Sequence, residues 1–175
     1  MESFDFTLKF SLKNPQADAA LYIEQLAEAG CDDALIGIGQ TGKIALQFTR
    51  EARSAQIALL SALEDVKKAI PEAELLEASP DFVGLTDVAK ILGFSRQNMR
   101  KLMLKHGNEF PSPIHEGKAS IWHLSKVLDW LKTKNNYVIE ENLIELSKAA
   151  MHLNILKEAK QIDPKLQKKL SALIF

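Results

Sequence analysis

The twenty residues from Leu85 to Leu104, LTDVAKILGFSRQNMRKLML, constrain this chain more than any other stretch. Their fourth, eighth, tenth, fifteenth and eighteenth places hold Val88, Leu92, Phe94, Met99 and Leu102. The fifth is Ala89 and the ninth is Gly93. Two short helices that cross closely need this set. A small residue must lie under the crossing, as Ala89 would. The first helix must end in a residue that accepts positive φ, which glycine does without steric cost. The five apolar side chains then form a wedge that fixes the angle between the helices. Ser95 follows the turn and can cap the second helix through its hydroxyl. The spacing predicts a helix-turn-helix whose second helix runs from Ser95 to His106.

The outer face of that second helix is polar: Arg96, Gln97, Asn98, Arg100, Lys101 and Lys105. The donor and acceptor geometry of Arg, Gln and Asn matches base edges in a major groove. An ordinary helical hairpin with a solvated face is the competing explanation, and helical hairpins are common. The unbroken run of template matches favours the first. Charge agrees with it. The net of -1 conceals 7 Lys and Arg against 14 Asp and Glu in residues 1–85, a balance of -7. Residues 86–134 hold 9 against 4, a balance of +5. Residues 135–175 hold 6 against 5, a balance of +1. A phosphate backbone would be attracted to the middle segment and repelled by the first.

The remaining composition excludes several classes. No apolar run approaches the ~18 residues needed to span a bilayer. The opening MESFDFTLKF lacks the basic-then-apolar layout of a signal peptide. The single cysteine, Cys31, excludes an internal disulfide and any multi-cysteine metal site. A cytoplasmic protein is expected, associated with the bacterial nucleoid when bound to DNA.

Before the helix-turn-helix, the chain reads as strand, helix, strand, strand, helix, strand. Phe4, Phe6, Leu8, Phe10 and Leu12 alternate with polar residues, as in a half-buried strand. Asn14-Pro15 marks a turn, and a helix is expected with Ala19, Ala20, Tyr22, Ile23, Leu26 and Ala27 on one side and Gly30 as its stop. Ala34–Ile38 and Ile44–Thr49 read as strands joined by a glycine-containing hairpin loop. Ser54–Ile70 reads as an amphipathic helix with Ile57, Leu60, Leu63 and Val66 or Lys67 at its seam. Glu74–Ala78 is the last strand. This order is the split βαβ pattern of ferredoxin-like domains. The fold class expected is α+β, with a ferredoxin-like βαββαβ domain over 1–79, a winged helix-turn-helix over 80–134, and C-terminal helices over 135–175. Ser79-Pro80-Asp81 is too short a connector to act as a floppy tether.

After the second helix, Gly107 and Pro111–Pro113 break the helical pattern. Pro113-Ile114-His115 and Ala119–Trp122 flank a turn at Glu116-Gly117-Lys118, giving a small two-stranded wing. A helix over Ser125–Lys134 should bury Val127, Leu128, Trp130 and Leu131, and Asn135-Asn136 should end it. Residues 137–175 read as helical, with Ile139, Leu143, Leu146, Ala150, Leu153 and Leu156 or Ile155 forming a stripe. Pro164 starts a last helix carrying Leu166, Leu170, Leu173 and Ile174. These stripes must fold back on the chain or pair with another.

The run from Gly84 to Leu131 resembles the excisionase, MerR and AlpA-like group of winged helix-turn-helix proteins. The matching features are Thr86-Asp87-Val88-Ala89, Leu92-Gly93-Phe94-Ser95-Arg96, Phe110-Pro111-x-Pro113 and Trp122-x-x-Ser125-x-Val127-x-x-Trp130-Leu131. The resemblance covers about 48 of the 175 residues. It implies that the second helix enters the major groove and the wing touches flanking backbone. The implied DNA-binding residues are Ser95, Arg96, Gln97, Asn98, Arg100 and Lys101, with Lys118 on the wing; Lys105 joins them as a phosphate contact. The wing departs from the pattern, holding Glu116, Lys118, His123 and Leu124 where Arg is frequent.

Other chemistry is weaker. Gly37–Lys43 fits the first seven positions of a phosphate-binding loop, but Ile44 stands where Ser or Thr must hold Mg²⁺, and a strand follows instead of a helix. His106, His115, His123 and His152 have no metal-ligand spacing. Acids beside Cys31 argue against a reactive thiolate. No catalytic site, metal or cofactor is expected. The leading expectation is a sequence-specific, dimeric transcriptional repressor acting on double-stranded DNA. One alternative is an antitoxin-like adaptor that binds a protein through the acidic N-terminal domain or the C-terminal helices. Another is a ligand-sensing regulator working through the ferredoxin-like domain.

Overall fold

The alternating N-terminal run becomes β1 (Glu2–Ser11), the strand on which the first core is built. The computed structural model describes residues 1–135 and 137–174. β1 pairs antiparallel with β3 (Lys43–Ala52) on one side and β4 (Glu74–Ser79) on the other, and β2 (Ala34–Gly37) adds to β3. The sheet order is β2-β3-β1-β4, within an α+β chain. The register sets Phe6 opposite Phe48, Leu8 opposite Leu46 and Phe10 opposite Ile44. The Phe6 and Phe48 rings stack at 5.1 Å. Each such buried side chain contributes roughly 1.5–3 kcal/mol, so the alternation alone fixes which face turns inward.

Helices α1 (Ile23–Ala29) and α2 (Ala55–Ala69) cover that face. Both depart from the expected seams. Residues Ala19–Tyr22 form a 3₁₀ turn ahead of α1, and its three-residue period shifts the phase, so Ile23 and Ala27 point outward. In α2 the buried residues are Ala55, Ala58, Leu59, Ala62 and Val66, while Ile57 is 50% and Leu60 59% exposed. Three alanines, with Leu59 and Val66, form the side of α2 that joins the first core, and the larger Ile57 and Leu60 face outward. The Gly37–Lys43 segment runs from the end of β2 through a hairpin loop into the start of β3. Gly42 has φ +69°, and a Cβ there would sit 2.5 Å from the Pro15 carbonyl oxygen.

Cys31 and Arg50 lie where α1, α2 and β3 meet. Arg50 is buried with its guanidinium bound twice to Asp33 (2.7 and 2.9 Å), once to Asp65 (2.8 Å), and to the Gly30 carbonyl (2.7 Å). The hydrogen bonds that Arg50 donates to Asp33 raise its pKa further above its ordinary value. Burial, then the charge of Asp65, pushes the Cys31 thiol up to about 11.

A second core lies beyond Asp81. It joins α3 (Leu85–Ile91), α4 (Arg96–His106) and α5 (Leu124–Asn135) to a two-stranded ladder of β5 (Phe82–Val83) and β6 (Trp122–His123). The strand β5 was not expected from sequence. The hairpin that precedes β6 is reduced to a single bridge, His115 to Ile121, with Lys118 in its exposed loop. The expected helix stop at Asn135-Asn136 lies partly outside the described residues, since Asn136 is not among them.

Helix α6 (Glu141–Ala159) ties the two cores together. Its Ile144 belongs to the second, whereas Leu146, Ala149 and Ala150 belong to the first. Only part of the expected stripe is buried: Ile155 and Leu156 are exposed, and Ser147, Met151 and Asn154 take inward positions instead. Residues 137–140, expected to be helical, precede the helix without regular structure. Asn154 bonds to both backbone groups of Ala78 and to Asp81, and Lys157 bonds to the Leu76 carbonyl. The edge of β4 is thereby covered. Helix α7 (Pro164–Ile174) buries none of its described side chains.

Candidate nucleic-acid interface

The wedge inferred from sequence is present. Val88, Ala89 and Met99 are buried, with Leu92, Phe94 and Leu102 packed partly against the same core. Gly93 has φ +67°, and the following Phe94 N–H reaches back to the Ala89 carbonyl at 2.7 Å. Asp87 holds the start of α3 by accepting the Gly84 N–H at 2.9 Å. Ser95 is the N-cap of α4 and accepts the Asn98 N–H at 3.1 Å. These contacts set the helix as a rigid projection.

All six polar residues expected on its outer face, Arg96, Gln97, Asn98, Arg100, Lys101 and Lys105, are exposed. The helix contains no acid. Among the described residues none of its four Arg and Lys side chains joins an ion pair, whereas Lys9, Lys13 and Arg50 of the sheet unit do. At about 100° per residue, Arg96 and Arg100 fall on one flank, and Asn98, Lys101 and Lys105 on the other. Gln97 and Leu104 lie between the flanks. Leu104 is 64% exposed, and the sequence reading did not single it out. Its place on the helical wheel was the available signal.

Asn98, Lys101 and Lys105 share a groove of about 310 Å³ with Phe94, Leu102 and Tyr137. Lys118 stands apart from them on its own exposed hairpin loop. That hairpin is anchored at its base. The Trp122 indole donates to the Pro111 carbonyl at 2.8 Å, and its ring packs edge-on against Phe110. The next residue, His123, lies 2.7 Å from buried Asp81 through Nδ1. Sequence reasoning left Asp81 and Asn154 unmarked because the residues they join are more than seventy positions apart, with no local pattern between them.

Among the described residues, no group of three or more His, Cys, Asp or Glu could hold a metal ion, and no helix is long and apolar enough to cross a membrane. Cys31 is buried with a raised pKa, which leaves little thiolate at neutral pH. What the exposed surface offers is a cationic helix with two amides, set at a fixed angle. No protein-family model, no curated protein and no solved structure matches this chain.

Proposed function

We propose that the chain is a sequence-specific DNA-binding transcriptional regulator, a dimeric repressor whose helix α4 reads the major groove. The observation that carries this reading is the charge of α4, whose Arg and Lys side chains join no ion pair among the described residues. A helix held by a buried wedge, with four exposed cations and no acid, suits a polyanion of fixed shape. In this reading Arg96, Gln97 and Asn98, in the first turn, contact bases. Arg100, Lys101 and Lys105 hold phosphates, Ser95 positions the helix start, and Lys118 approaches flanking backbone. The strand order β2-β3-β1-β4 with α1 and α2 on one face supports reading residues 1–79 as ferredoxin-like. The anchored hairpin supports reading residues 114–121 as a wing. No bond-making chemistry is assigned to the chain.

One helix reads only a few base pairs, so useful specificity calls for two copies on two half-sites. An apolar stripe left exposed for pairing with a second copy is that of α7, where Leu166, Leu170 and Leu173 recur at a four-then-three spacing. The same exposed stripe favours a second reading, a protein-binding adaptor of the antitoxin type. A co-purifying partner protein would support that one.

The test is binding to duplex DNA from upstream of the protein's own gene, beside scrambled duplex, across a salt series. A preference of roughly a thousandfold with a steep salt slope is expected. Equal weak binding to both duplexes, or none, would overturn the proposal.

A further inference from the structure

We infer that the groove between α4 and Tyr137 is a seat for one phosphodiester of the DNA backbone, and that Tyr137 is a DNA contact. The inference rests on the DNA-binding reading and extends it to a residue outside the helix-turn-helix. Tyr137 lies 32 positions beyond Lys105 in sequence, yet both line one groove. Its placement is built. The Tyr137 N–H bonds to the Leu131 carbonyl at 3.2 Å, which ties it to the end of α5. Its ring leans on Phe94, with centroids 5.3 Å apart and planes at 56°. Phe94 is itself the residue that closes the turn between α3 and α4. The turn that aims α4 therefore also aims Tyr137.

The lining chemistry selects the ligand. Lys101 and Lys105 supply two ammonium groups that join no ion pair among the described residues. The Tyr137 hydroxyl hydrogen-bonds to no protein group among the described residues and can donate. Asn98, assigned above to a base, borders the groove, and no lining residue is acidic. Phe94 and Leu102 give an apolar floor suited to a deoxyribose. Cationic and neutral donors with no acceptor carboxylate describe a phosphate oxygen's surroundings, not those of a cation or a peptide. The groove opens on the flank of α4 away from Arg96 and Arg100, so the seated phosphate would belong to the strand bordering that side of the groove.

The test compares wild type, Tyr137→Phe and Lys105→Gln on the preferred and scrambled duplexes across salt, with ethylation interference to locate the phosphates that matter. Phenylalanine keeps the ring against Phe94, so melting should be unchanged. Tyr137→Phe should weaken both duplexes alike by roughly 3- to 10-fold with the salt slope intact, since a neutral donor releases no counterion. One flanking phosphate should drop out of its interference pattern. Lys105→Gln should lower the slope by about one. If Tyr137→Phe binds and footprints like wild type while Lys105→Gln is impaired, this inference fails and the DNA-binding reading survives. If wild type binds no duplex, both fail. If a deoxymononucleotide competes at wild type and not at Tyr137→Phe, the groove is a free-nucleotide site and the backbone assignment is overturned.

Discussion

The side-chain amide of Asn154 pairs with the backbone of Ala78 as a neighbouring strand would, accepting its N–H at 2.9 Å and donating to its carbonyl at 2.8 Å. The same amide nitrogen donates to Asp81 at 2.8 Å, and Asp81 in turn meets His123. One buried residue of α6 thus satisfies the sheet edge and the start of the second core together. Replacing Asn154 with Leu keeps the volume and orphans two backbone groups and one oxygen of Asp81. The expected cost is about 3 kcal/mol or more, since each of the three buried groups left unsatisfied costs roughly 1–3 kcal/mol. Urea denaturation of Asn154→Leu checks it, and a loss below about 1 kcal/mol would show that water replaces the amide.

Arg50 offers a second test. Its guanidinium is buried between Asp33 and Asp65, each about a quarter exposed. Arg50→Met should destabilise the fold by about 3 kcal/mol, the lower end for breaking a buried pair, because water can reach both stranded carboxylates. Arg50→Lys should recover only part, since an ammonium cannot span Asp33 with two parallel bonds. Thermal melts of the two variants give the ranking directly.

Cys31 makes a pH-dependent prediction. Its thiol is held up at about 11 in the folded chain, against an ordinary value of 9.0. The folded state therefore binds the proton more tightly. Its contribution is complete below about pH 9 and is lost as pH rises toward about 11. Cys31→Ala should flatten that alkaline loss of stability. At pH 8 the native thiol should resist iodoacetamide and react only on unfolding. Rapid native alkylation would contradict the burial described here.

The roles proposed within α4 separate on DNA. Arg96→Ala should lose about 1–3 kcal/mol on the preferred site and relax specificity there. Lys105→Ala should weaken every duplex alike. Equal losses on all sequences for both variants would dissolve the distinction between base reading and phosphate holding.

Removal of residues 162–175 probes α7. No described side chain of that helix is buried, so melting of the remaining chain should shift by no more than a degree or two. Under the proposal the oligomeric state should fall to monomer, and operator affinity should fall with it. Light scattering and DNA binding on the truncated chain decide this.

Strands and turns were readable where the information is local. Period-two alternation in β1 and β3 fixed their inward faces, and Gly93 with Ser95 marked the turn between α3 and α4. Helix faces were less readable. In α2 the large residues Ile57 and Leu60 suggested the seam, but close packing on the sheet selected the alanine side. The 3₁₀ turn at Ala19–Tyr22 shifted the next helix by a phase no propensity reveals. β5 is two residues long, and its partner lies forty positions away in β6. Of the interface, the exposed positions of α4 were legible from its amphipathic pattern. The exposure of Leu104 follows from the same wheel. Tyr137 had no local signal, because what places it is the meeting of Phe94 with the end of α5.

If the DNA-binding proposal holds, helix α6 governs how two copies would measure DNA. Since it is built into both cores, α4 is not suspended from the sheet unit by a pliant strap. Under the DNA-binding proposal, a pairing seated on the sheet unit or on α6 would set the separation of the reading helices as a fixed gauge, whereas one through α7 alone, which packs on neither core, would not. With that rigid pairing, the proposal expects operators with one or two base pairs inserted between half-sites to be rejected by mechanical mismatch, even with every contacted base unchanged.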